Sequence, residues 1–286
     1  MPELFMFFNR KFESIRFICK MDAMTYLGQV YSDAKMSLRC LLDIILPRNC
    51  VVCGRTLLRH EKHICIYCQS EIPLTRYWMN VQNPMADKFN AKIQERIIAE
   101  DYDEGYEPYA FATSLFFYNE HSPYAHITRA LKYHGNIAEG RYFAKMLGNK
   151  IKQTESFATV DAVVPVPLHW TRKWKRGYNQ AEIIAREVAK ALEAEVRTDI
   201  LKRQRRTQTQ TKLSVEAKGS NVKGAFAAKF GKGSAIPKHI LLIDDVFTTG
   251  STLAACHDAI RNALSELGIS PTQCRISVAT LACVGE

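Results

Sequence analysis

Apolar residues Leu27, Val30, Ala34, Leu38, Leu41 and Ile45 recur at spacings of three and four. That period predicts an amphipathic helix ending near Pro47, with one face that needs a covering surface. Ahead of it, "FMFF" and "RFIC" lie on a basic background, and this stretch is expected to be weakly helical and to dock on the body of the protein. Over 82–108 a short helix and then an acidic, turn-rich run are expected, with a domain boundary there. Beyond Pro108 strands and helices alternate. Strands are predicted near 110–118, 160–168 and 195–201, and helices near 124–133 and 137–152. Asn179 with Glu182 three residues on is a capping-box arrangement, opening a helix that buries Ile183, Ile184, Val188 and Leu192. A polar loop to Gly224 and a short strand lead to the strand "HILLID" from His239. A helix over 251–267 follows, with Leu253, Ile260, Leu264 and Leu267 on its buried face, and then a last strand "RISVATLACV" over 275–284. Gly268 followed by Pro271 closes that helix. Apolar strands alternating with helices imply a mainly parallel sheet covered on both faces.

With 286 residues and 47% hydrophobic composition, the chain can bury a sizeable core. Its longest apolar runs, "LLDIIL" and "HILLI", fall far short of the ~18 residues a membrane helix requires, so no transmembrane segment is expected. The mixed-charge N-terminus lacks a secretory h-region and cleavage site, and the expected location is cytoplasmic. In a reducing cytosol the nine cysteines divide by spacing. Cys19, Cys40, Cys256, Cys274 and Cys283 stand singly among apolar neighbours and are expected to be buried. Cys50, Cys53, Cys65 and Cys68 form C-x2-C-x11-C-x2-C, a spacing that gathers four thiolates about zinc, with Gly54 permitting the tight turn. A redox pair is the alternative, disfavoured because neither pair follows a strand in a thioredoxin-like context. His60 and His63 are expected at the surface, and Arg55, Arg59 and Tyr67 suit nucleic acid without forming a clear stacking platform. The chain thus divides into an N-terminal helical segment (1–46), a zinc ribbon (47–80), a linker with a short helix (81–107) and an α/β domain (108–286).

Charge narrows the function. The net +10 points to an acidic partner, and the excess is local: residues 165–212 hold 12 Lys and Arg against 5 Asp and Glu. In "LLIDDVFTTGST" (241–252) an apolar strand runs into Asp244 and Asp245, followed by Thr248, Thr249, Gly250, Ser251 and Thr252. Ligands of open parallel sheets bind beyond the carboxyl strand ends. A hydroxyl loop opening a helix there is a cradle for a phosphomonoester. The two acids suit a vicinal diol and a magnesium ion that relieves their repulsion, so a sugar phosphate is the expected ligand. The Walker spacing is broken at "FGKGS", and no G-x-G-x-x-G opens a helix.

"LLIDDVFTTGST" resembles the signature of type I phosphoribosyltransferases, which bind phosphoribosyl pyrophosphate (PRPP) through the two acids and the following hydroxyl loop. "VPVPLHWTRKWKRGYNQAEIIA" (164–185), "RRTQTQTKLSVEAKGSNVKGAF" (205–226) and the cysteine module extend the likeness, over roughly 38–284, to the ComF family of phosphoribosyltransferase-like proteins, some of which serve in natural competence. The resemblance implies an α/β fold: a type I phosphoribosyltransferase-like parallel sheet with flanking helices, preceded by a small zinc ribbon. It implies pyrophosphate binding by Arg172, Lys173, Arg176 and Gly177, where the planar fork of arginine suits phosphate. It also implies a flexible loop carrying Arg206, Thr207, Gln210 and Lys218 that closes as a lid; Gln208 stands where the family commonly has proline, and Lys218 where it commonly has arginine. "LKYHGN" from Leu131 matches too, and Lys132 either reaches the site or lies on the surface.

The implied reaction is attack of a nucleophile on the anomeric carbon of PRPP with pyrophosphate leaving. Asp244, Asp245 and Arg176 would be the catalytic set, assisted by magnesium. In 6-oxopurine enzymes of this class a carboxylate precedes the Thr-Gly pair and serves the base; Thr248 stands there, which disfavours an oxopurine acceptor. The implied partners are PRPP or another ribose-5-phosphate ligand and competence or recombination proteins. The second function class is a single-stranded DNA-handling factor, gripping strand phosphates with the basic stretch.

Overall fold

The computed structural model describes residues 47–99, 107–133, 135–168, 171, 174, 176–204, 224–231 and 233–285. The helices expected within 1–46 lie outside the described residues.

The cysteine unit comes first. Gly54, at φ +72, turns the chain so that its N–H bonds the Cys50 carbonyl at 2.9 Å, the tight turn expected of the first knuckle. Cys65 caps helix α1 (Ile66–Ser70), its sulfur accepting the Cys68 N–H, and forms the second. A 3-10 turn (Tyr77–Met79) leads into α2 (Pro84–Ala99), 16 residues where a short helix was expected. Then come β1 (Ala112–Tyr118), α3 (Ala125–Tyr133), α4 (Ile137–Ile151), the short α5 (Glu155–Ala158), β2 (Ala162–Pro165), α6 (Gln180–Leu192), β3 (Glu195–Val196), β4 (Leu201–Arg203), β5 (Phe226–Ala228), β6 (His239–Phe247), α7 (Ser251–Ser265) and β7 (Arg275–Val284).

Five strands form one parallel sheet in the order β1-β7-β6-β2-β3. The central strands are buried on both faces, which explains their unbroken apolar runs. Successive side chains alternate between faces. Val163, Leu241, Ile243, Ala279 and Leu281 pack toward α4 and α6. Ala162, Val164, Ile240, Leu242, Ile276 and Val278 pack with α2 and α7 on the other side. Helices α4 and α6 meet closely: a Cβ on Gly148 would lie 2.8 Å from the Ala191 Cβ.

The ribbon is built into this body. Ile64, Ile72 and Trp78 share a buried cluster with Leu115 and Phe116 of β1. The chain leaving the ribbon also pairs with the outer edge of β1: Leu74 bridges Phe116, Thr75 N–H bonds the Leu115 carbonyl (3.2 Å) and Phe117 N–H the Pro73 carbonyl (2.8 Å). A sheet edge left open is a hazard, and here the ribbon covers it.

Besides the length of α2, three predicted elements differ from those observed. The strand expected over 195–201 is two strands in two sheets, β3 in the main sheet and β4 in a hairpin with β5. Arg197 and Asp199, joined by two hydrogen bonds of 2.9 and 2.8 Å, pin the bend between them. The Glu182 carboxylate, expected to turn back to the cap, is held by Arg186, while Asn179 alone caps α6 through the Ala181 N–H. The last helix stops at Ser265: Gly268 at φ +72 and the Ile269 N–H bond to the Leu264 carbonyl close it, so Leu267 is half-exposed instead of buried.

Candidate functional site

β6 is the middle strand of the sheet, and Asp244 and Asp245 stand near its carboxyl end. Asp244 turns back on its own backbone and accepts the Asp245 N–H at 2.8 Å. Burial, then the charge of Asp245, pushes the Asp244 carboxyl up to about 7; the Asp245 N–H and Lys132 pull the other way. Lys132, near the carboxyl end of α3, places its Nζ 3.0 Å from Asp245 Oδ2, with both side chains largely covered. Burial disfavours this ammonium, yet Asp245 and then Asp244 hold it charged above the ordinary lysine range. Of the two places left open for Lys132, the side chain lies beside the acid pair and not free on the surface.

The hydroxyl loop follows at once. Gly250 is the N-cap of α7 with φ +75, and a Cβ there would lie 2.8 Å from the buried Phe247 ring. Only glycine fits. The ring packs against the turn at Gly250, and Thr248–Thr252 lead into the N-terminus of α7, a place favourable to negative charge. Thr249 and Ser251 join their hydroxyls at 3.0 Å; Thr248 is exposed, and Thr249, Ser251 and Thr252 are half-exposed.

Of the basic loop, Arg176 and Gly177 are described, whereas Arg172 and Lys173 lie outside the described residues, as do Arg206, Thr207, Gln210 and Lys218 of the expected lid. Gly177 has φ +81, a conformation open to glycine and strained for other residues. The Arg176 guanidinium lies over the Tyr133 ring at 5.3 Å, and the Tyr178 hydroxyl donates to the Leu131 carbonyl at 2.5 Å. Three consecutive residues, Leu131, Lys132 and Tyr133, therefore touch both the basic loop and the acid pair. One helix end joins the two.

The four cysteine sulfurs lie within 4.8 Å of one another. Cys53 and Cys65 are 3.8 Å apart at sulfur, far beyond a disulfide bond, and all four thiols are free. Four sulfurs at about 2.3 Å from a tetrahedral zinc stand about 3.8 Å from one another, so the cluster fits that ion. Backbone donors support it: Cys65 N–H points to Cys50 sulfur (3.4 Å) and Cys68 N–H to Cys65 sulfur (3.5 Å). His63 packs on Tyr142 at 5.5 Å and His60 is exposed, so neither belongs to the cluster. Cys256, Cys274 and Cys283 are buried as expected; Cys19 and Cys40 lie outside the described residues. Sequence reasoning missed Glu61. Its buried carboxylate accepts the Leu58 and Ile66 N–H groups and pairs with Arg55, tying the two knuckles together. Nothing in its spacing announces this, because its partners are backbone groups.

No family model matches the chain. Over 122 residues it is 36% identical to competence protein F of Haemophilus influenzae, covering 43% of this chain and 52% of that protein. Over 103 residues it is 33% identical to the DNA utilization protein YhgH of Escherichia coli (36% of this chain, 44% of that one). Over 137 residues it is 30% identical to competence protein ComFC of Streptococcus pneumoniae (48% and 54%). The chain spans about half the length of the curated relatives it matches. No helix among the described residues is long and apolar enough to cross a membrane.

Proposed function

We propose that the chain is a member of the ComF family, a reading supported by its likeness to competence protein F, YhgH and ComFC, and that it binds PRPP with magnesium at the carboxyl end of its parallel sheet and transfers the phosphoribosyl group to an acceptor, releasing pyrophosphate. The observation that carries this reading is the juxtaposition on β6 and α7: two neighbouring carboxylates, one raised by burial, followed directly by a glycine-propped hydroxyl loop at a helix N-terminus.

Asp244 and Asp245 accept hydrogen bonds from the ribose hydroxyls and fix the ring. Thr248–Thr252 and the α7 N-terminus take the 5'-phosphate. Arg176, with Arg172 and Lys173, draws the diphosphate away from the anomeric carbon, its fork matching paired phosphate oxygens. The oxygen-only donor set of Asp244 and Asp245 fits a hard cation, and magnesium, when bound, supplies positive charge to the leaving diphosphate. Positioning and charge are the chain's whole contribution, since the bond breaks toward a stabilised cation without a protein nucleophile. The cysteine unit holds a structural zinc.

Isothermal titration tests the reading. PRPP with magnesium is expected to bind the protein and not Asp244→Asn, with pyrophosphate released in pooled acceptor fractions. Absence of binding to the unaltered protein would overturn it.

A second reading, a single-stranded DNA-handling role, draws on Trp174 and Tyr133, 87% and 71% exposed at the basic loop beside Arg176. Such rings stack bases while cations follow the strand. It predicts a steep salt dependence of single-stranded DNA binding and loss of binding on charge reversal of Arg172 and Arg176. The relatives' names, competence and DNA utilization, accord with both readings.

A further inference from the structure

We propose that Lys132 is the internal counter-ion of the acid pair, a positioning residue that holds Asp245 until a divalent cation takes its place. The inference rests on the reading of Asp244 and Asp245 as the metal and sugar-diphosphate site.

Two adjacent carboxylates near the end of a buried strand repel each other and are deprived of water. Something must offset this before any ligand arrives. The Lys132 ammonium does so at 3.0 Å from Asp245, reaching in from α3, more than a hundred residues away in sequence. A divalent cation entering the pair needs the same Asp245 oxygen. Cation and ammonium therefore compete, and the free metal ion alone pays for displacing Lys132. A metal already carrying a diphosphate meets different terms, because the displaced ammonium gains a new anionic partner in that diphosphate. The helix end is built to follow: Leu131 is held by the Tyr178 hydroxyl and Tyr133 lies under Arg176. Displacement of Lys132 is thus felt where the basic loop begins its contact with the leaving group. The device favours the metal–diphosphate complex over bare metal, so the site does not fill with cation before substrate comes.

Manganese(II) titrated alone into the zinc-loaded protein, with the free-ion EPR signal as readout, tests this without any turnover. Lys132→Gln is expected to bind manganese roughly tenfold more tightly than the unaltered protein, about 1.4 kcal/mol, and Lys132→Arg about as weakly as the unaltered protein. Asp245→Asn should abolish the site in both backgrounds. A variant that merely damaged the fold would lose affinity, so the gain separates counter-ion from structural support. Unchanged or weaker manganese binding in Lys132→Gln, or no manganese binding to either protein, overturns the proposal. The two readings fail separately. Binding of PRPP with magnesium alongside an unchanged manganese affinity sinks only the counter-ion; tighter manganese binding without PRPP binding sinks only the phosphoribosyl reading.

Discussion

Gly250→Ala isolates what the Phe247 ring does for the hydroxyl loop. The residue sits at φ +75, where an L side chain costs about 1–2 kcal/mol. The added Cβ would also lie 2.8 and 2.9 Å from two carbons of the Phe247 ring, which is 2% exposed and bounded by core on its far side. A crowded ring with nowhere to move costs about 1–3 kcal/mol more. The expected destabilisation is therefore about 2–5 kcal/mol. Gly268 supplies the control. It closes the same helix at φ +72 with nothing within 4 Å of an added Cβ, so Gly268→Ala should carry the backbone cost alone, about 1–2 kcal/mol. Urea unfolding of both zinc-loaded variants, followed by circular dichroism, gives the difference. Titration with PRPP and magnesium reads its consequence, with affinity lost at Gly250 and kept at Gly268. Equal destabilisation of the two variants would refute the idea that the ring, and not backbone conformation alone, fixes the loop.

Removing zinc with a chelator should loosen the body as well as the ribbon, because the segment Pro73–Thr75 leaving the ribbon pairs with the edge of β1. The Phe117 amide, bonded to the Pro73 carbonyl, is expected to exchange roughly tenfold faster or more in the metal-free protein; unchanged protection there would mean the ribbon is merely appended. His239 provides a pH test. Burial, then Arg275, lowers its imidazole to about 4, while its two ring nitrogens face Thr159 and Ser277 and Asp161 accepts its backbone N–H. The fold thus binds the proton less well than the unfolded chain, whose histidine titrates near 6.5. The associated stability is complete above about pH 6.5 and is lost as pH falls toward 4, by up to ~3 kcal/mol. His239→Gln should flatten that part of the stability profile; the same slope in the variant would show that another group titrates there.

Legibility in the sequence followed the range of the interactions. The strands of the central sheet declared themselves because burial on both faces demands continuous apolar residues, and "HILLIDDVF" and "RISVATLACV" are such runs. The start of α7 was readable because the hydroxyl loop follows its strand directly, whereas its end falls at Ser265, two residues before the expected limit, where Gly268 and the Ile269 N–H close it. The division of the stretch after Glu195 was not, because a two-residue strand such as β3 is defined by its partner β2 and not by any period of its own. Nor was the depth of the ribbon's attachment: Leu74 and Thr75 look like loop residues until β1 lies beside them.

The candidate site divides along the same line. Asp244, Asp245 and the hydroxyl loop are contiguous, and a strand running into a helix places them together with no further information. Lys132 and Glu61 belong to the other kind of contact. Glu61 answers backbone donors, which every residue carries and no motif can mark. Lys132 meets Asp245 only because the fold brings the carboxyl end of α3, far away in sequence, to the acid pair. Yet physical chemistry favoured some partner for that pair, since adjacent, largely covered carboxylates repel each other with little water to screen them. The sequence posed the need at 244–245 and, through "LKYHGN", offered Lys132 without deciding between site and surface; the fold answered with the contact to Asp245.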